Sequence, residues 1–505
     1  MNLLRTTPRA GALFATMWAL ASLIDETAVS VSWSQQYPLA LTVFSGFVVI
    51  AAIATILRPE SGRRLVLLAT LSMTSGLIRF PVTPNHHFLT TTVNLLIVTV
   101  AIRHVALSRV TSFRTSDLYP VFAPIGRAVM IAVYLISALH KANRDYLDPT
   151  VSCASELAHT ITERLHVPDV SMFALLSAYG SLAFECVVPF LLAFRRTRHL
   201  GIAIGLPVHF IFALDYQPGI FGFSAAILGI YALFLSEGVQ AAIIERAWIP
   251  KGRRLLAWSV GALALSVILT IIFSPAGVGH WTVLTQHPIS ATSGLAGVLR
   301  VLPIGARFIW LLYAFTLTFA LVATVRGRTS PPIMDDLARR ARVSRLAFVF
   351  VPIVVLNGLG PYLGYKTAPV FSMFSNLRTE SGYSNHLFLT PLNLFPMADD
   401  LVTIVDSSDP DFRAVAGRVR ITAFELRRVL SGHGARRRGV LAGPKLAQRV
   451  MSDDFWVTYA RNGKTVRAAR LTEANDEMFQ GNARVLEKIL YFRDLPIDNR
   501  PVCLW

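Results

Sequence analysis

The chain has 505 residues, 53% of them hydrophobic and only 15% charged, with a mean hydropathy of +0.51. That balance excludes an ordinary soluble globular protein and points to a polytopic membrane protein. The formal net charge of +18 does not call for nucleic acid, because Lys and Arg lie mostly between apolar stretches, as the positive-inside rule expects.

In chain order, apolar runs long enough to cross a bilayer fall at 10–32, 38–57, 64–80, 87–106, 121–140, 170–194, 199–214, 218–236, 254–274, 303–325 and 345–364. The expected fold is therefore mainly α, a polytopic helical membrane bundle of about 9–11 spans. The first run follows Arg5 and Arg9, yet it ends in Asp25–Glu26 without a small-x-small cleavage site, so it reads as a retained helix rather than a signal peptide. Basic residues mark every second loop: Arg58, Arg63 and Arg64, then Arg103, Arg109 and Arg114, then "RRTRH" at 195–199, "ERAWIPKGRR" at 245–254 and "ARRARVSR" at 338–345. This alternation predicts a multi-pass protein of the plasma (inner) membrane, with a cytoplasmic N-terminus and an outside C-terminal tail.

Composition shifts near residue 366, where charges become frequent and spanning runs stop. The expected division is 1–365 as the transmembrane domain and 366–505 as a smaller extracytoplasmic α+β domain. "DDLVTIVDSSD" at 399–409 contains a strand, and "FWVTYARNGKTVRAARL" at 455–471 alternates about Asn462–Gly463 as a hairpin does. "ITAFELRRVLSG" at 421–432 and "ANDEMFQGNARVLEKILYF" at 474–492 read as amphipathic helices. Cys153, Cys186 and Cys503 form no framework and no metal spacing, and a Cys153–Cys503 disulfide stays open.

Polar groups cluster at what the topology makes the outer ends of the spans: Asn85, His86 and His87; His140 and Lys141, followed by Asn143, Arg144 and Asp145; His209; and Asn357, Tyr362 and Tyr365. Such groups are expensive at membrane depth and face protein interior when present. Each has a plain reading beside a functional one. Lys141 at a helix end can snorkel to the interface, and the tyrosines can form an aromatic belt. Glu185, inside the span before Pro189, needs a partner that the sequence does not name. Adjacent His86 and His87 lack the i,i+4 spacing of a metal pair, so no metal is expected. Phosphate-binding, dinucleotide and hydrolase motifs are absent.

Four segments, in the right order, resemble the vitamin K-dependent gamma-carboxylases and the bacterial horizontally transferred transmembrane (HTTM) family that shares their membrane unit. They are "TPNHHFL" at 83–89, "YLISALHKANRDYLD" at 134–148, "PVHFIFALDYQPGIFGF" at 207–223 and "NGLGPYLGY" at 357–365. "SMFSNLRTESGYSNH" at 372–386 is similar to the section after the family's last span, and the resemblance is sharpest over 125–236. His140 stands where the carboxylases carry another basic residue, and Phe212 where they carry an asparagine. The resemblance implies an enzyme in which an unprotonated lysine removes a proton from reduced vitamin K or menaquinol. Oxygen then turns the quinol into an epoxide, and carbon dioxide adds to a glutamate carbanion. On that implication Lys141 is the base and His86 the second catalytic residue, while Asn85, His209, Asn143 and Tyr362 surround the quinol. The implied partners are the lipid bilayer, a quinone and a glutamate-containing peptide or protein. A lysine suits the role because burial lowers its pKa, whereas an arginine stays charged. The alternative is a non-catalytic membrane protein that binds a lipid or a protein partner.

Overall fold

The structure is a computed structural model that describes residues 11–33, 39–81, 83–165, 171–212, 218–244, 346–372, 374–380, 382–433, 441, 444–470, 477–498 and 503. Helices run through the first half: α1 (Ala12–Trp33), α2 (Leu39–Leu57), α3 (Gly62–Arg79), α4 (Asn85–Ser108), α5 (Thr115–Lys141), α6 (Arg144–Leu147), α7 (Cys153–Leu165), α8 (Ser171–Ala193), α9 (Arg198–Phe212), α10 (Pro218–Tyr231) and α11 (Glu237–Ile243). Then come α12 (Ala347–Gly358) and α13 (Gly360–Leu363). Each expected span within the described residues is helical, whereas 254–274 and 303–325 lie outside them. Among the described residues three helices are long and apolar enough to cross a membrane: Asn85–Ser108, Thr115–Lys141 and Met172–Ala193. Shorter apolar helices occupy Phe44–Leu57, Arg198–Phe212, Gly222–Phe234 and Phe348–Gly358.

The chain divides into two compact units whose limits fall inside α3, α4, α5, α8 and α12. The first unit holds 1–76, 89–132 and 187–352. In it α1 packs against α2 and α10, and Ala19, Val48, Ala51, Ala52, Ile56 and Leu68 close an apolar cluster in which small residues let the backbones approach. Two buried polar pairs cross between its helices: Trp18 Nε1 donates to Asn94 Oδ1 at 2.7 Å and Ser75 Oγ to Glu26 Oε1 at 2.9 Å.

The second unit holds 77–88, 133–186 and 353–505. Its C-terminal part is built on a five-stranded antiparallel sheet: β1 (Leu401–Ser407), β2 (Val419–Thr422), β3 (Trp456–Arg461), β4 (Lys464–Ala469) and β5 (Leu495–Pro496), in the order β4-β3-β1-β2-β5. Five short helices lie between the strands: α14 (Pro410–Val415), α15 (Ala423–Leu430), α16 (Pro444–Val450), α17 (Glu477–Gln480) and α18 (Arg484–Ile489). Val402, Ile404, Phe412, Leu426, Val429, Leu430, Val457 and Tyr459 form the core. The expected hairpin is β3–β4, turned by Asn462 (φ 51°) and Gly463 (φ 76°).

Two expected helices are shorter than their amphipathic pattern. Ile421 and Thr422 belong to β2 because Thr422 caps α15, its hydroxyl accepting from Glu425 N at 3.2 Å. The run 474–492 is broken at Gly481, whose φ of +75° ends α17, and resumes as α18.

Candidate functional site

Lys141 is the last residue of α5. The start of that helix is fixed by Asp117, whose carboxylate accepts from Arg114 N at 2.7 Å, and His140 and Lys141 complement the dipole at its other end. Asn143 stops the chain: its Oδ1 accepts from Tyr146 N at 2.9 Å and starts α6, and its Nδ2 donates to His140 O at 2.8 Å and Ser375 O at 2.5 Å. The turn thereby carries the chain from α5 directly into a short helix, with Lys141 buried at the join.

The partner of the intramembrane carboxylate is Lys141. Lys141 Nζ lies 2.5 Å from Glu185 Oε1, with side-chain exposures of 8% and 10%. The Tyr146 ring sits 5.7 Å from the ammonium, and the Tyr146 hydroxyl meets Ser181 Oγ at 2.5 Å, one turn from Glu185 on α8. Burial, ahead of every other influence, pushes the Tyr146 phenol up, so it stays protonated. Glu185 Oε2 is buried and has no hydrogen-bond partner among the described residues; the Ser137 hydroxyl, one turn before Lys141 on α5, has none either. A buried Lys–Glu pair offsets its desolvation fully only when its remaining lone pairs are used, and Glu185 Oε2 is not used among the described residues.

Tyr362 lies in α13, buried, with its ring 5.6 Å from that of His140 and 5.5 Å from that of His386. Its hydroxyl also lacks a partner among the described residues. His140 Nε2 meets Gly358 O at 2.8 Å, and Gly358 also packs closely on α5: a Cβ there would lie 2.5 Å from Ile136 Cγ2.

Asn85 opens α4, and its Oδ1 accepts from Phe371 N at 2.7 Å. Phe371, Phe374 and Asn376 all have left-handed backbone (φ 64°, 51° and 53°), a conformation that costs non-glycine residues energy and persists only when neighbours over-determine it. Asn85, Asn143 and Asn376 supply that bracing; Asn376 Oδ1 accepts from Cys153 N at 2.8 Å. His86 and His87 are buried with their rings 4.6 Å apart. His209 belongs to the first unit, where it is buried against Phe212, Phe223 and Tyr231.

Two features were not legible in the sequence. One is the Lys141–Glu185 pair, which joins residues 44 apart. The other is Lys366, just past the last apolar helix, where the sequence looks like ordinary loop. Lys366 is buried, its stem lies against Gly360 and its amine sits 5.4 Å from the Phe88 ring centroid. Burial without a carboxylate lowers its pKa to about 7.

Residues 82–237 match the HTTM domain family. The match takes in Asn85, His86, Lys141, Asn143, Glu185 and His209. The chain is thus a membrane protein carrying an HTTM domain, the vitamin K-dependent gamma-carboxylase-like unit. No curated protein and no solved structure matches it.

Proposed function

We propose that this HTTM-domain protein is a membrane enzyme that binds a reduced quinone and uses Lys141, paired with Glu185, as the base that takes a quinol proton. The observation that carries the reading is the pair itself: an amine and a carboxylate buried at the end of a spanning helix, with one carboxylate oxygen unpartnered among the described residues. An anchoring lysine has no use for a buried carboxylate, because snorkelling puts its charge in water.

The residues suit a flat ligand with two hydroxyls and an apolar tail. The helices supply apolar surroundings, and Glu185 Oε2, Ser137 Oγ and Tyr362 Oη are buried polar atoms that a quinol would satisfy. When bound, a quinol together with oxygen would supply the oxidative chemistry that the chain's own side chains lack. Lys141 must be neutral to accept a proton, and Glu185 provides the means. In a dry site the proton of the ion pair can pass along the 2.5 Å contact to the carboxylate, which leaves a free amine. The buried Tyr362 hydroxyl, without a partner among the described residues, would donate to a ligand oxygen. Asn85 and Asn143 hold the backbone at Phe371 and Ser375, beside the left-handed residues, and so act as positioning residues. His86 is the second proton-handling candidate, and His209 lines the apolar helices of the first unit. Carboxylation of a glutamate-containing peptide with carbon dioxide is the further step that the family likeness supports.

The alternating basic loops support an outside C-terminal domain. The Cys153–Cys503 disulfide supports it too, since such bonds persist in oxidising compartments. Purified protein supplied with menaquinol or reduced vitamin K, with epoxide and labelled carbon dioxide followed separately, tests the reading. Epoxide without label incorporation establishes quinol oxidation alone. Neither product with several quinols, and no thermal stabilisation by them, refutes the proposal.

A further inference from the structure

Far from Lys141 in sequence, α18 carries "RVLEKI" with an unusual mixture of faces. Val485 and Ile489 are 69% and 52% exposed, beside the cations Arg484 and Lys488. The same unit exposes Leu77 and Ile78 at the end of α3, and Lys488 Nζ donates to Ile78 O at 3.0 Å. This bond ties α18 to the last turn of α3, just before the turn that leads into α4, one of the helices able to span the membrane. An apolar face flanked by Lys and Arg at a span's mouth is the pattern of a segment lying at headgroup depth.

Between these groups lies a cleft of about 370 Å³, lined by Pro81, Arg428, His433, Arg484, Glu487 and Lys488. Its charges are unevenly used. Arg428 is committed to Glu425, with Nη1 at 2.8 and 2.9 Å from the two carboxylate oxygens, and Nη2 donates to Glu487 O and Leu490 O. Glu487 is occupied by His433 at 2.8 Å and by Asn482 N and Nδ2 at 3.3 and 3.2 Å. The exposed Arg484 side chain lines the cleft, and Lys488, which donates to Ile78 O, reaches it from the next turn of the same helix. The excess is positive, and the volume is that of a small-molecule site.

We infer that this cleft binds the phosphate headgroup of an anionic phospholipid, with Arg484 and Lys488 as the cations and Val485, Ile489, Leu77 and Ile78 along its acyl chains. A soluble anion would need the cations but not the apolar flank; a zwitterionic lipid would need the flank but gain little from the cations. The site is separate from the Lys141 chemistry and stands without it.

The test uses the full chain in neutral detergent. Its thermal midpoint is followed while short-chain phosphatidylglycerol, short-chain phosphatidylcholine or inorganic phosphate is added. Phosphatidylglycerol should raise the midpoint at concentrations where the other two do not. Each lost cation should weaken the effect by roughly fivefold, so Arg484→Gln with Lys488→Gln should move half-saturation by roughly 25-fold. Arg484→Gln alone should move it by roughly fivefold, and serves if loss of the Ile78 bond unfolds the double variant. Protection by phosphate equal to that by phosphatidylglycerol would make this a soluble-anion site and overturn the proposal. Equal protection by the two lipids, or unchanged half-saturation in Arg484→Gln, would also overturn it.

Discussion

Replacing Glu185 by Gln keeps the side-chain shape and removes the carboxylate bonded to Lys141. The ammonium is then left with 8% side-chain exposure, an ion without its counter-charge. Breaking a buried pair from one side costs about 3–5 kcal/mol, whereas replacing both partners by apolar groups of similar volume is near neutral. Glu185→Gln and Lys141→Met should therefore each lower the unfolding free energy by about 3 kcal/mol, and the Lys141→Met/Glu185→Leu double variant should recover most of it. Each single loss of about 3 kcal/mol corresponds to roughly a 150-fold change in an equilibrium constant, well above the resolution of a denaturation series in detergent. Circular dichroism against denaturant, with all three variants in the same lipid–detergent mixture, reads it. Single variants within about 0.5 kcal/mol of the parent, with additive effects in the double, would show that the two groups do not form a buried pair and would refute the reasoning.

Gly358→Ala should destabilise by about 1–3 kcal/mol, because the new methyl meets Ile136 at 2.5 Å and the bond from His140 to Gly358 O must lengthen; a thermal melt checks it. Lys366 has a folded pKa near 7 against 10.5 in the unfolded chain, so the unfolded state binds the extra proton between those values and stability rises with pH across that window, by up to about 1.4 kcal/mol per pH unit. Lys366→Met should accordingly stabilise the protein most below pH 7 and lose its advantage by about pH 10.5, as denaturation at several pH values would reveal. Cys503→Ser should cost about 2–4 kcal/mol by opening the loop closed to Cys153, and thiol labelling of intact cells should find Cys153 unreactive in the parent and modified in the variant.

Hydropathy made the helices legible, because a run that must satisfy its backbone within hydrocarbon has little choice but to be helical. The Asn462–Gly463 turn was equally legible, since it rests on adjacent residues that accept positive φ. The helices within 421–432 and 474–492 are shorter than their amphipathic patterns. Amphipathic periodicity does not register a capping threonine such as Thr422 or a left-handed glycine such as Gly481. At the site, the sequence singled out Lys141 and Glu185 separately, each as a polar group at membrane depth. Nothing local joins them, because their contact is made by two helices meeting 44 residues apart. Lys366 escaped notice for the opposite reason: its neighbours read as loop, and only tertiary packing against Gly360 and Phe88 buries it.

A base at position 141 and a membrane anchor there are separated by Lys141→Arg. Arginine keeps the positive charge, the membrane-edge position and a partner for Glu185, but it does not give up its proton at neutral pH. Oxygen-dependent oxidation of menaquinol or reduced vitamin K by purified Lys141→Arg protein is the measurement. Loss of a general base should lower the rate roughly 100-fold or more, with expression and ligand-free stability close to the parent. Oxidation at the parental rate would contradict it and return Lys141 to the role of a charge at the edge of the bilayer.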